Sequence, residues 1–288
     1  MSAIERYCAP TSLAEAVEVL RGGDVTIFAG GTDVMVQSQI GKAQFKPVLM
    51  NIRRIAGMGG IRDEGKTIRI GALTTMTELL DSTLVRERLG ILRQACDHFA
   101  SDQLRNAGTL GGNICNASPA GDTLVPLLVL NARVVLASKP NGSVEQRTVP
   151  LVQFFAGPGR THRLPGELLT EIELPAPPAG FHGTFFKFGT RPALDIATIS
   201  IGLGAVRDGR TLRDVRVAYG SVAPTPIRGP RTEAALEGRT VDAATIEAAL
   251  HAAAEEVHPI SDVRASDWYR NELIRNTLRR MLSHVHQG

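Results

Sequence analysis

Residues 105–122 read RNAGTLGGNICNASPAGD, a stretch that puts four glycines, three asparagines and a closing aspartate side by side. Side chains this small cannot fill a core. They let backbone come very close to something, and an asparagine or aspartate beside them can hold a polar ligand or close a turn. What approaches so closely has to be decided by the rest of the chain.

A second stretch of the same kind, FAGGTDV at 28–34, directly follows the apolar, partly β-branched run Val25–Phe28, which reads as a short buried strand. Each stretch offers consecutive backbone N–H groups with no side chain in front of them, plus a hydroxyl, Thr32 or Thr109, as a further donor. Such donors can hold a pyrophosphate without any lysine. One glycine loop alone reads more readily as a tight turn. Two of them, the first closing an apolar strand and both ending in an amide or an acid, favour a ligand.

The two aspartates are less alike. Asp33 would repel a phosphate unless its side chain turns back to cap its own loop. Asp122 could accept hydrogen bonds from ribose hydroxyls, or could N-cap the apolar stretch TLVPLLVL that follows it.

Working outward, 288 residues of which 43% are hydrophobic can bury one large core or two to three small ones. The 32 basic and 29 acidic residues are spread along the chain, so the net charge of +3 gives no footprint for nucleic acid or membrane. No apolar run is long enough to span a bilayer, and MSAIERYCAP has neither a secretory nor a lipidation pattern. The expectation is a cytoplasmic chain without an integral membrane segment. Cys8, Cys96 and Cys115 lie far apart and form no CxxC pair, no zinc spacing and no iron–sulfur spacing. The seven histidines form no metal-ligand pattern with nearby acids.

SLAEAVEVLRGG carries a capping box, Ser12 with Glu15, and apolar residues at helical spacing; PVLMNI reads as a further strand, so a small α/β unit ends near residue 55. A second unit follows with the strand KTIRIG, a second capping box at Thr75 and Glu78, and a long helical pattern whose one face is Leu89, Leu92, Ala95, Cys96 and Phe99. RVVLAS and ELLTEIELP read as strands, and PAPPAG at 175–180 as a linker. The last third holds three strands, TFFKFGTR, ATISIGLGAVRDG and RDVRVAYGSV, with a turn at Asp208-Gly209, then helices near 243–257 and 265–285. Strands followed by helices make this an α+β unit. The arginines of YRNELIRNTLRRML fit a solvated helix face or a partner surface. Nucleophile elbows, HExxH, Walker and GxGxxG signatures are all missing.

FAGGTDV, followed further on by RNAGTLGGNICNASPAGDTLVPLLVLNA, resembles the two FAD-binding signatures of the medium subunit of the molybdenum hydroxylases, the group of the carbon monoxide dehydrogenase medium subunit and the xanthine dehydrogenase FAD domain. The resemblance covers nearly the whole chain. YCAPTSLAEAVEVL is similar to the family's opening helix and FFKFGTRPALDIATISIG to the strand entering its last domain. VAPTPIRGPRTEAALEGR and RASDWYRNELIRNTLRRML are similar to its C-terminal domain.

The resemblance implies an α+β fold. A vanillyl-alcohol-oxidase (PCMH)-type FAD-binding fold would consist of two α/β subdomains, 1–55 and 56–175. A C-terminal α+β domain of the CO dehydrogenase flavoprotein type would cover 176–288. By carry-over, Gly30, Gly31, Thr32, Asp33 and Val34 would wrap the pyrophosphate, with Ile27, Phe28 and Ala29 leading in, and Thr109, Gly112 and Asn113 would form the facing loop. Asp122 would hold the ribose or ribityl side. Leu169 would pack on a ring or be plain core, and Lys187 would lie near the flavin or adenine end or be a strand-edge charge.

The resemblance further implies that this chain carries FAD, takes electrons from the 2Fe-2S clusters of a small subunit and passes them to an external acceptor. Substrate would be hydroxylated at a molybdopterin cytosine dinucleotide-type cofactor on a large subunit, in a dimer of heterotrimers. The flavin would carry the redox step, and no catalytic residue or metal is expected here. The cysteine-rich insertion of the benzoyl-CoA-type reductases has no counterpart between Asp122 and Phe154. The family's aromatic beside the flavin has no counterpart that can be placed from sequence. A free-standing flavin reductase or oxidase of the same fold is the alternative, and a scaffold that has lost its flavin is disfavoured by two intact glycine loops.

Overall fold

The computed structural model describes residues 4–191 and 194–287. The chain opens with β1 (Arg6–Cys8), α1 (Leu13–Arg21), β2 (Val25–Phe28), α2 (Val34–Gln39) and β3 (Val48–Asn51). The three strands form a parallel sheet in the order β1-β3-β2, with Ile27 opposite Met50 and Phe28 opposite Asn51. Ser12 caps α1 with Glu15 as the reciprocal partner, as the sequence pattern predicts, and Ala16, Val17 and Leu20 are buried.

The middle of the chain begins with β4 (Ile61–Asp63) and β5 (Thr67–Gly71). Six helices follow: α3 (Met76–Asp81), α4 (Thr83–Arg88), α5 (Gly90–Asp97), α6 (Asp102–Ala107), α7 (Leu110–Asn116) and α8 (Leu124–Val129). Then come β6 (Arg133–Ser138), β7 (Glu145–Pro150), the small β8 (Phe155–Gly157) and β9 (Arg160–Thr161) pair, and β10 (Leu168–Pro175). Five of these strands make an antiparallel sheet in the order β4-β5-β10-β6-β7.

Two expectations are corrected here. The long helical pattern around residue 90 is broken into α4 and α5, because Ser82 starts a new capped turn and Leu89 leaves helical geometry. The stretch 110–116 is not a loop but α7: Thr109 caps it, and Leu110 and Ile114 are fully buried along one side. Gly111 is small because the helix lies directly on the β5–α3 turn. A Cβ there would stand 2.7 Å from that of Ala72, and the Gly111 N–H donates to the Ala72 carbonyl at 2.9 Å.

Residues 176–180 connect β10 to the last third of the chain, β11 (Phe181–Phe188), β12 (Ile199–Asp208), β13 (Thr211–Gly220), β14 (Ile227–Arg228), α9 (Pro230–Leu236), α10 (Ala243–Glu256) and α11 (Asp267–Gln287). The strands form one antiparallel sheet in sequence order, and Gly209 takes φ +58° in the tight turn between β12 and β13. One hydrophobic cluster, gathered around the wholly buried α8, joins the first two sheets to β11; a second lies between β12, β13 and helices α9 to α11. Among the described residues no helix is long and apolar enough to cross a membrane.

Candidate functional site: a dinucleotide-sized cavity between two sheets

A cavity of about 650 Å³ opens where β2 and the turn after it face α5–α7 and β10. That is the size class of a drug-sized ligand or cofactor site. Val25 and Ile27, two residues apart on β2, present the same face of the strand to it, together with Ala29 and Ile52. Gly30, Gly31, Thr32, Asp33 and Val34 follow on the same wall. Thr109, Gly112, Asn113 and Asp122 line it from the α7 side, and Leu169 from β10. The structure thus brings together twelve of the fourteen residues singled out in the sequence. The other two, Phe28 and Lys187, are not on the wall.

The turn at 30–34 explains its own glycines. Gly31 has φ +75°, and a side chain there would run into the Phe28 ring, which packs beneath the turn. At Gly30 a Cβ would collide with the Ala107 carbonyl at the end of α6. The backbone N–H groups of Gly30 through Val34 have no hydrogen-bond partner among the described residues, while the carbonyls of Gly31 and Asp33 accept from Met35 and Gln37 inside α2. Five successive N–H groups therefore line one wall with their bonding capacity unspent.

The second glycine stretch behaves differently, which corrects the expectation that both offer free donors. The N–H groups of Leu110, Gly111 and Asn113 are bonded to the carbonyls of Thr74, Ala72 and Thr109, and that of Gly112 to the Thr109 hydroxyl at 3.1 Å. This wall presents side chains and surface, not an amide nest. Asp33 does not cap its own loop either; its carboxylate accepts from Gln37, whose amide also reaches Asn116 Oδ1 at 3.2 Å. Burial raises the Asp33 pKa against that hydrogen bond.

Asp122 is not the cap of α8: the helix begins after Thr123 and has no side-chain cap, and Thr123 instead donates to Asn113 Oδ1 at 2.7 Å. Asp122 Oδ2 accepts from Lys187 Nζ at 2.7 Å, and the same ammonium donates to the His98 carbonyl at 3.3 Å. Lys187 stands on the edge strand β11 and is not a wall residue; it is a buried cation behind Asp122, with 8% of its side chain exposed. The other oxygen, Asp122 Oδ1, is buried without a partner on a residue that lines the cavity. Burial pushes the Asp122 carboxyl up to about 6, more than the charge of Lys187 and its hydrogen bond pull it down.

Several wall residues escaped the sequence reading. Phe99 is the one aromatic on the wall among the described residues; it sits just past α5 rather than on its core face, followed by Ala100 at φ +42° and then Leu104. Leu194, Asp195 and Ile196 come from the segment after β11, where the Asp195 carboxylate accepts from the N–H groups of Thr190, Arg191 and Ile196 and from the Thr190 hydroxyl. Thr161 ends β9, and Arg163 comes from the stretch just after it. Nothing local in the sequence marks any of these.

A slot of this volume, with an amide row matched to phosphate oxygens and a buried carboxylate oxygen awaiting a donor such as a hydroxyl, fits FAD in shape and in chemistry. In size and chemistry this is a slot of the kind that takes a dinucleotide.

The comparisons with known proteins agree. The model of the FAD binding domain in molybdopterin dehydrogenase matches residues 2–177, and that of the CO dehydrogenase flavoprotein C-terminal domain matches residues 184–285. The chain belongs to this family of FAD-binding medium subunits of molybdopterin dehydrogenases, and it is an FAD-dependent oxidoreductase component. It is 32% identical over 280 residues to the xanthine dehydrogenase FAD-binding subunit of Escherichia coli O157:H7, covering 96% of this chain and 94% of that one. It is 33% identical over 279 residues to the carbon monoxide dehydrogenase medium chain of Hydrogenophaga pseudoflava, covering 96% and 95%. In three dimensions it matches the carbon monoxide dehydrogenase of Hydrogenophaga pseudoflava with a TM-score of 0.91 at 33% identity, over 97% of this chain and 96% of that one.

Proposed function

We propose that this chain is the electron-transfer subunit of a three-subunit molybdenum hydroxylase of the cytoplasm. It would receive electrons from the 2Fe-2S clusters of a small subunit and deliver them to an external acceptor, while a large molybdopterin subunit hydroxylates the substrate. FAD supplies the redox chemistry when bound. The observation that carries the reading is the row of N–H groups from Gly30 to Val34, unpaired among the described residues, on the wall of a cavity that also holds the unpartnered Asp122 Oδ1.

In this reading the chain's own residues bind, orient and exclude water. The amide row takes the pyrophosphate, with Ile27 and Ala29 leading in and Phe28 supporting Gly31 from beneath. Thr109, Gly112 and Asn113 face it across the slot. Asp122 Oδ1 accepts from a ribose or ribityl hydroxyl, Lys187 keeps the opposite oxygen ionised and in place, and Leu169 packs on a ring. Phe99 has the position and the flat face for ring contact that the sequence left unfilled.

The subunit assignment is tested by turnover. The FAD-loaded chain alone is expected to show no oxidation of aldehydes, purines or N-heterocycles with an artificial acceptor, and activity is expected to return with the small and large subunits. Substrate turnover by the isolated chain would instead make it a free-standing flavin enzyme.

A further inference from the structure

The cavity wall carries three carboxylates, Asp33, Asp122 and Asp195, but among the described residues only one cation, Arg163. Each of the three acids already has a protein partner, Asp122 through Oδ2 only. Asp122 is paired with Lys187, Asp195 is spent on four donors of its own segment, and Asp33 is held by Gln37. Arg163 is in no ion pair among the described residues, although its charge helps hold the buried Glu167 carboxyl low. Its Nη1 donates to the Leu164 and Glu167 carbonyls at 3.2 and 2.5 Å, and Nε and Nη2 have no partner among the described residues.

The anchorage is built, not incidental. Glu167, 3% exposed, accepts from Arg147 Nη2 at 2.8 Å and from the Leu164 N–H at 2.7 Å, and the Glu167 N–H returns to the Leu164 carbonyl at 3.0 Å. The buried Glu167 carboxylate, paired with the exposed Arg147, fixes both carbonyls that hold the guanidinium. A side chain with free rotamers would lose them on binding; this one is already positioned. The placement is also close to α7. Cys115, on the cavity wall, is pushed up to about 11 by burial, and the Arg163 charge works against that rise. The adjacent Asn116 is tied through Gln37 to Asp33 in the amide turn.

We infer that Arg163 is a specificity-determining residue that reads the diphosphate of the dinucleotide, supplying the one wall cation among the described residues from the β9 side while the 30–34 turn supplies its amides. The inference rests on the FAD reading above. Oxidised FAD carries its formal charge on the diphosphate alone, so a wall cation whose Nε and Nη2 have no partner among the described residues matches only that part of the ligand. Ionised partners also make the stronger hydrogen bonds.

The test is equilibrium binding to the flavin-free full chain, by FAD fluorescence and by displacement with ADP and adenosine, for the wild type, Arg163→Gln and Arg163→Lys. Arg163→Gln is expected to weaken FAD and ADP by about 10- to 100-fold, the range of a lost charged hydrogen bond, and to leave adenosine unchanged. Arg163→Lys keeps the charge and should stay within about threefold of the wild type for both, although it cannot form the fork. Should the glutamine variant fail to fold, Arg163→Met takes its place with the same expectation, and a loss beyond tenfold with lysine overturns the inference. So does an Arg163→Gln protein that binds FAD like the wild type, or one that loses ADP and adenosine equally. A wild type that binds no FAD would instead overturn the underlying reading.

Discussion

Asp122 and Lys187 concentrate the physical chemistry of the site in one pair. The two side chains are 10% and 8% exposed, so removing either leaves an uncompensated buried charge. Lys187→Met and Asp122→Ala are each expected to cost about 3–5 kcal/mol of stability, with the double variant costing less than the sum, measured by denaturant unfolding of the flavin-free chain. Single-variant effects that simply add would show the pair is not coupled. The pH dependence has a definite sign. Burial raises the Asp122 carboxyl from 3.8 to about 6, so between those values the folded state binds the extra proton and stability falls as pH rises. Relative to Asp122→Asn, the wild type is therefore expected to lose stability from pH 4 to 6 and to hold a constant difference above. A flat difference across that window would contradict the assignment.

Elements decide what the two glycine stretches do. Both look alike as sequence, yet one becomes an amide turn ahead of α2 and the other the closed first turn of α7. Gly31→Val is expected to abolish FAD retention, because the left-handed backbone and the Phe28 ring leave no room for a side chain. Thr109→Val removes an N-cap and should lower stability by about 1 kcal/mol in the same unfolding assay. Stoichiometric FAD in the valine variant at 31 would remove the amide turn from the site.

The capping boxes at Ser12 and Thr75 and the strand feeding the first glycine turn were legible because their signals are local. The pairing of Lys187 with Asp122 spans 65 residues and joins two separate elements, so no spacing reveals it. Arg163, Phe99 and the 194–196 segment reach the cavity only through tertiary packing. The helical state of α7 was hidden by its glycines, whose small size serves contact with Ala72 rather than a turn.

At the scale of the molecule, two hydrophobic clusters hold a slot between sheets, and the larger one, centred on α8, ties the cavity walls to β11. Lys187 sits on that strand, so the ion-pair partner of the wall residue Asp122 comes from the last third of the chain. Large apolar side chains are exposed on α2 at Met35 and Val36 and on α11 at Trp268. The most direct test of the central claim is to purify this chain from its native cell with whatever it binds and to record the absorbance spectrum, flavin content and subunit masses. The account predicts one FAD per copy of this chain, absorbance from iron–sulfur clusters, and two further subunits, one small and one large. A flavin-containing single chain that turns over substrate unaided, or a complex in which this chain carries no FAD, would contradict it.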